Sequence, residues 1–339
     1  MHQEIESTLY IHGHNAETTL AGSRLITHSD HGECEVPLDR LGRVVIFGRA
    51  KVSPPALEQL MKRRIGMTYL ALNGRFIGRY EGDQSWDVEL RRNQYELTGD
   101  PSASLALSQA VIQSKIRAQR TVLLRAQRRN RDLSLAADIK TLRSQSKSAC
   151  KVTSITELLG HEGMAARSYL NGVRQLVDEK WGFSGRNRRP PTDPVNCLMS
   201  FGYSLLLNEV IGAIYASGLD PSCGFLHVPQ RGRASLALDL MEEYRPILAD
   251  SIALSALNNR RLTADHFELS CEGETHSCLL TDVGRKKYFI EYERRLMTET
   301  FHAASGRYVS YRQAIHLQAD HVAKLFRERS TQYIPVAWS

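Results

Sequence analysis

Along the first ~80 residues, runs of β-branched and aromatic side chains at 7–11 and 42–47 alternate with turn formers, a pattern of short strands. Ser53-Pro54-Pro55 reads as a helix start, with serine as N-cap and proline in the first turn, leading into 56–63. Residues 67–72 and 75–80 flank Asn73-Gly74, the dipeptide suited to a type I′ hairpin turn. These signals predict one short helix against a small sheet. Residues 82–104 turn polar, with Gly82, Gly99 and Pro101, and are expected to form a linker. From about 105 to 329 a helical period dominates, interrupted near 182–194 and 218–235. Weak alternation over 266–283 allows a hairpin there. The expected architecture is α+β and multidomain: a β-rich domain over 1–81, a linker over 82–104 and a mainly α-helical domain over 105–339.

A chain of 339 residues with 42% hydrophobic and 24% charged residues suits a globular protein with a full core. No stretch is read as approaching the ~20 apolar residues that cross a bilayer, and the start lacks signal-peptide features. A cytoplasmic protein without a membrane partner is expected. The six cysteines show no CxxC spacing. Cys271 and Cys278 bracket His276, but the spacing fits no standard zinc module, so these thiols are expected to pack as small apolar groups.

The net charge of +7 is concentrated rather than spread. Lys115, Arg117, Arg120, Arg125, Arg128, Arg129 and Arg131 follow one another without an acid, and Arg186, Arg188 and Arg189 form a second cluster. Such clusters suit phosphate backbones, although a solvated helix face has the same composition.

Three acidic or imidazole positions stand out. Ala166, Tyr169, Val173, Leu176 and Val177 recur at helical spacing, and Glu162 falls on that stripe, one turn before Ala166. A carboxylate there needs a hydrogen-bond donor, an arginine or a metal cation. Asp239, Glu242 and Glu243 share one helix face, where their repulsion calls for something positive unless that face lies in water. His227 sits in a turn-rich connection a dozen residues before Asp239. Two carboxylates and an imidazole suit Mg²⁺ or Mn²⁺. With Arg167, Arg186, Arg231, Arg233 and Arg245 close in sequence, the set points to phosphoryl transfer and leaves nuclease and phosphatase undecided.

Several segments, in order, resemble CRISPR-associated protein 1, the integrase of CRISPR spacer acquisition. They are Leu159-Gly160-His161-Glu162-Gly163 with Ala165-Ala166-Arg167, then Arg189-Pro190-Pro191-Thr192-Asp193-Pro194-Val195-Asn196 and Phe201-Gly202-Tyr203. Gly218-Leu219-Asp220-Pro221, Gly224-Phe225-Leu226-His227 and the stretch from Gly232-Arg233 to Arg245-Pro246 follow. Residues 43–79, with the Asn73-Gly74-Arg75 turn, resemble the family's N-terminal β-sandwich, and 292–295 with 311–318 resemble its C-terminal helices. Leu170 stands where an aromatic is common. The resemblance implies an N-terminal β-sandwich that serves dimerisation, followed by an α-helical catalytic domain. It implies that Glu162, His227 and Glu242 bind Mg²⁺ or Mn²⁺, with Asp239 a further essential acid and Asp193 and Asn196 architectural.

The implied reaction is integration: a 3′-OH of a short DNA fragment attacks a phosphodiester at the CRISPR repeat. The implied partners are double-stranded DNA (prespacer and repeat), a second copy of the chain and CRISPR-associated protein 2. Phosphate contacts are expected from Arg117, Arg120, Arg125, Arg128, Arg167, Arg189, Arg233 and Arg245. A transposon-type integrase would share these motifs. A non-catalytic DNA-binding scaffold, whose acids merely satisfy buried cations, would bind DNA without metal dependence.

Overall fold

The computed structural model describes residues 7–12, 15–29, 32–72, 76–80, 87–187, 190–272 and 275–338. The Asn73-Gly74-Arg75 turn, Arg188 and Arg189 lie outside the described residues. The chain divides into two compact units at residues 86 and 87.

In the first unit, β1 (Ser7–His12), β5 (Leu41–Phe47) and β7 (Gly66–Leu70) run parallel, and β8 (Phe76–Tyr80) adds antiparallel to β7. β5 is central, and Val44, Val45, Ile46 and Phe47 are buried in succession, as a strand covered on both faces requires. A second sheet has the order β4 (Gly32–Pro37), β3 (Arg24–Ser29), β2 (Glu17–Ala21), β6 (Lys51–Val52). Ile11, Leu25, Ile46, Leu60 and Met67 lie in one core shared by both sheets and α1 (Pro54–Lys62). Ser53 caps α1, its Oγ accepting from Ala56 N at 3.4 Å. Two four-stranded sheets thus replace the single small sheet that the early pattern predicts. Strands β2 to β4 lack a plain apolar alternation because their inward set includes Thr18 and Thr27, whose hydroxyls pair at 3.0 Å.

The second unit is mainly helical: α2 (Val88–Gly99), α3 (Pro101–Arg129), α4 (Ala136–Ser148), α5 (Ile155–Gln175), α6 (Pro194–Ala216), α7 (Ser235–Met241) and α8 (Ser251–Asn258). A π-helical turn over Arg245–Asp250 lies between α7 and α8. The hairpin allowed by the alternation near 266–283 is present as β9 (Phe267–Glu272) and β10 (Thr275–Leu280). α9 (Asp282–Leu296) and α10 (Tyr311–Arg327) follow. Between them a second hairpin, β11 (Glu299–His302) and β12 (Arg307–Ser310), interrupts the expected helical run, turning through Gly306 at φ +66°.

Residues 88–104 are not the expected linker. Asp87 Oδ1 accepts from Leu90 N at 2.9 Å and starts α2. Asp100 Oδ1 accepts from Ser102 N at 2.7 Å and Ala103 N at 2.8 Å and starts α3, with Pro101 in its first turn. Gly99 and Pro101 therefore mark a corner between two helices. The apolar reading also needs correction: α6 is long and apolar enough to span a bilayer by length and composition. It is instead the core helix of this unit, apolar all round because α7, α8 and α10 pack on it. Its buried Glu209 pairs with Arg312 of α10 at 3.4 Å.

Candidate functional site

Four segments meet where the sequence places its chemistry. α5 supplies Glu162 from the edge of a stripe formed by Leu158, Ala165, Tyr169 and Val173; Ala165, rather than Ala166, is the fully buried alanine. α7 ends at Met241, so Glu242 and Glu243 stand just beyond it at the entry to the π-helical turn. α3 brings Lys115, which the charge pattern alone marks only as one of a basic run. The Lys115 side chain is 12% exposed, and its Nζ lies 2.5 Å from Glu162 Oε1 and 2.6 Å from Glu242 Oε2. Arg245 Nη1 reaches Glu242 Oε1 at 2.7 Å. One ammonium thus bridges carboxylates eighty residues apart.

The three acids of the 239–243 segment are all buried, so a face in water is excluded. Each has a different partner. Asp239 accepts from Phe225 N at 2.7 Å, Leu226 N at 3.0 Å and His227 N at 3.0 Å. Its Oδ1 also meets His227 Nδ1 at 2.6 Å. Gly224 makes this loop possible, because a Cβ there would fall 2.4 Å from Asp239 Oδ2. Glu243 accepts from Tyr333 Oη and, at 2.9 Å, from Val336 N, tying down the C-terminal segment. From the supposed linker, Gln94 Nε2 donates to the carbonyls of Asp220 at 2.8 Å and Cys223 at 2.9 Å, supporting the approach to His227.

These environments separate the acids electrostatically. Burial pushes the Glu242 carboxyl up, but Arg245 and then Lys115 outweigh it and hold the carboxyl at about 2. Burial also works against the Lys115 ammonium, yet Glu242 and Glu162 raise it above the usual lysine range. Burial raises Glu243 to about 7, against its hydrogen bonds to Ser114, Tyr333 and the Val336 amide.

The donor set fits a hard divalent cation in three respects. Glu162 and Glu242 already converge on one positive centre. Glu242 Oε2 is buried and makes its 2.6 Å contact to Lys115 without hydrogen-bond geometry, which leaves a lone pair unused. The bond from His227 Nδ1 to Asp239 favours the proton on Nδ1, leaving Nε2 as the electron-pair donor, the arrangement typical of a metal-bound imidazole. Among the described residues, however, no three His, Cys, Asp or Glu side chains stand as a metal cluster, since Lys115 lies between the carboxylates.

Around the site, Tyr203 lies between the guanidinium groups of Arg186 at 5.2 Å and Arg245 at 5.0 Å, while its hydroxyl donates to Asp250 Oδ1 at 2.6 Å. Asn196 joins the same framework: it accepts from Arg186 Nη1 at 2.7 Å and donates to Asp193 Oδ2 at 2.6 Å. Arg117 and Arg128 on α3 and Arg167 on α5 are exposed, whereas Arg120, Arg125 and Arg233 are half-buried. Arg245 is committed to Glu242. The sequence signal for Lys115 was its phase, one helical turn from buried Val111 and Ile112.

The family model for CRISPR associated protein Cas1 matches residues 9–294. The chain belongs to the Cas1 family. A CRISPR-associated endonuclease Cas1 of Moorella thermoacetica is 34% identical over 89% of this chain and 89% of its own length. One from Rhodospirillum rubrum is 34% identical over 99% of both. A Cas4/Cas1 fusion of Geobacter sulfurreducens is 36% identical over 92% of this chain, which spans 56% of the fusion's length. Among solved structures, a casposase bound to its integration product superposes with a TM-score of 0.84, at 23% identity, over 96% of this chain and 91% of its own. A Cas1 protein from Thermotoga maritima superposes with a TM-score of 0.77, also at 23% identity, over 94% of this chain and 96% of its own. At that identity these structures establish the shared fold.

Proposed function

We propose that this Cas1-family chain is a metal-dependent DNA endonuclease and integrase. It inserts short DNA fragments into a CRISPR array by transesterification with a 3′-OH nucleophile. The observation that carries the reading is the convergence of Glu162 and Glu242 on one cationic centre beside His227, whose ring is oriented by Asp239. Glu162, Glu242 and His227 Nε2 would hold Mg²⁺ or Mn²⁺, which when bound supplies Lewis-acid polarisation of the scissile phosphate. Asp239 positions the loop and the imidazole rather than reaching the metal, because its oxygens are engaged by three backbone amides and the ring. Lys115 and Arg245 are cationic donors beside the carboxylates, placed to meet phosphate charge. Arg117, Arg120, Arg125, Arg128, Arg167, Arg189 and Arg233 are assigned to the DNA backbone, with a second copy of the chain and CRISPR-associated protein 2 completing the assembly. A solved Cas6-RT-Cas1–Cas2 complex whose chain contains this fold supports that partnership.

The test is joining of a short duplex to a supercoiled plasmid carrying a CRISPR repeat, with CRISPR-associated protein 2 and Mn²⁺. Metal-dependent joining at the repeat ends by the wild type, lost in a folded Glu162→Gln variant, is the expected result. Equal joining by both proteins would remove Glu162 from the mechanism.

The same ion pairs favour one second reading, a DNA-binding scaffold in which Lys115 and Arg245 simply neutralise the acids. That protein would bind DNA equally with Mn²⁺ and with chelator and join nothing.

A further inference from the structure

Residues 331–338, which follow α10, form neither helix nor strand, yet Tyr333 and Val336 are buried and Trp338 is half-buried. Their backbone polar groups find side-chain partners in place of a ladder. On α10, Gln318 Nε2 donates to Ile334 O at 3.0 Å, and His321 Nε2 accepts from Ile334 N at 3.0 Å. The segment is thus a strap fastened along one helix.

Its other two anchors lie beside the candidate site. Glu243, the chain neighbour of Glu242, accepts from Tyr333 Oη and, at 2.9 Å, from Val336 N. Ser114, the buried chain neighbour of Lys115, donates to Val336 O at 3.3 Å and accepts from Trp338 Nε1 at 3.1 Å. The Trp338 ring lies edge-on to Tyr244 at 5.8 Å and stacks on Tyr311 at 6.3 Å. One strap therefore grips α3 and the 242–244 bend at the positions next to Lys115 and Glu242, whose side chains meet at 2.6 Å.

We propose that residues 333–338 brace the candidate metal site, with Glu243, Ser114 and Trp338 as positioning residues that hold Glu242 ready to ligate the cation. The proposal rests on the metal-dependent reading. Glu242 stands past the end of α7, at the entry to the π-helical turn, so regular helix does not by itself fix its backbone. A ligand whose backbone must be ordered when the cation arrives binds it more weakly than one already in place. Both Glu243 oxygens are committed to the strap, so Glu243 acts through the chain on Glu242 rather than as a ligand.

The experiment measures Mn²⁺ binding to the whole chain by calorimetry, without DNA, at a temperature where circular dichroism shows every variant folded. Wild type is compared with Trp338→Ala, Trp338→Phe and Tyr333→Phe; the last removes a single oxygen, so the test stands even if Trp338→Ala fails to fold. Leu296→Ala, which empties a buried position of α9, is the control for lowered stability alone. Groups that orient a metal ligand typically contribute about 10-fold or more to affinity. The expected result is a loss of about 10-fold in Trp338→Ala and Tyr333→Phe, with most of the affinity kept by Trp338→Phe, whose ring still fills the place beside Tyr244 and Tyr311, and wild-type affinity in the control. Strap variants that melt lower but bind Mn²⁺ like wild type would overturn the brace and leave the metal reading standing. An equal loss in Leu296→Ala would reduce the effect to general instability and also overturn it. A wild type that binds no Mn²⁺ would end the metal reading, and the brace with it.

Discussion

Replacing Lys115 by methionine removes the group that touches both Glu162 and Glu242 while keeping a side chain of similar length. Glu242 is 3% exposed, so it cannot recover its lost partner from water, and Glu162 loses a 2.5 Å contact. Breaking a buried ion pair costs about 3–5 kcal/mol. Arg245 still holds Glu242 at 2.7 Å and the Glu162 side chain is 21% exposed, which reduces the expected loss to about 2–3 kcal/mol. For a unit of this size that is a fall in melting temperature of about 5–10 °C. The assay is thermal unfolding in chelator and in a Mn²⁺ series. In chelator the variant melts lower than wild type. Mn²⁺ then stabilises the variant more than wild type, because the cation no longer competes with a tethered ammonium; at 100 times its dissociation constant it returns about 2.7 kcal/mol. A variant that melts like wild type in chelator, or that gains no more from Mn²⁺ than wild type does, would refute the reasoning that Lys115 and the metal share one position.

Three further outcomes follow from the same structure. Gly224→Ala forces a methyl group against Asp239 Oδ2 and should cost about 2–4 kcal/mol in urea unfolding, through strain and a weakened buried acceptor; a loss below 0.5 kcal/mol would mean the loop can rearrange freely. Gly160→Ala and Gly163→Ala meet nothing within 4 Å on α5, so each should stabilise by up to ~1 kcal/mol; a drop in DNA joining despite that gain would show that substrate uses the open space. Burial holds His302 and His321 below the usual histidine range, so both favour the neutral form when folded. Their contribution is present above the unfolded value of about 6.5 and is lost as pH falls through the folded values. Urea midpoints at pH 7 and 5 should therefore converge in a His302→Asn variant relative to wild type, and an unchanged difference would remove His302 from the acid response.

Local signals carried far where a residue's role depends on its immediate neighbours. Ser53 before Pro54-Pro55 capped a helix, the 266–283 alternation formed a hairpin, and the helical phase of Glu162 set it beside the buried stripe of α5. The ordered motifs around Glu162, His227 and Glu242 also led to the family, since their residue types and spacing survive without coordinates. The linker reading failed because Asp87 caps polar α2, Asp100 caps α3, and Gln94 of α2 makes bonds that cross 126 and 129 positions of sequence. The apolar length of α6 could not by itself distinguish a membrane span from a core helix; packing decided it.

The acids at 239–243 show the same division. Sequence alone determined that three carboxylates crowd one short segment, and left open whether water or positive partners compensate them. Only the tertiary structure decided that backbone amides satisfy Asp239, that Lys115 and Arg245 neutralise Glu242, and that the C-terminal segment holds Glu243. Charge and hydrogen-bonding capacity belong to the residue, whereas the partner that neutralises it is fixed by chain segments brought together in space.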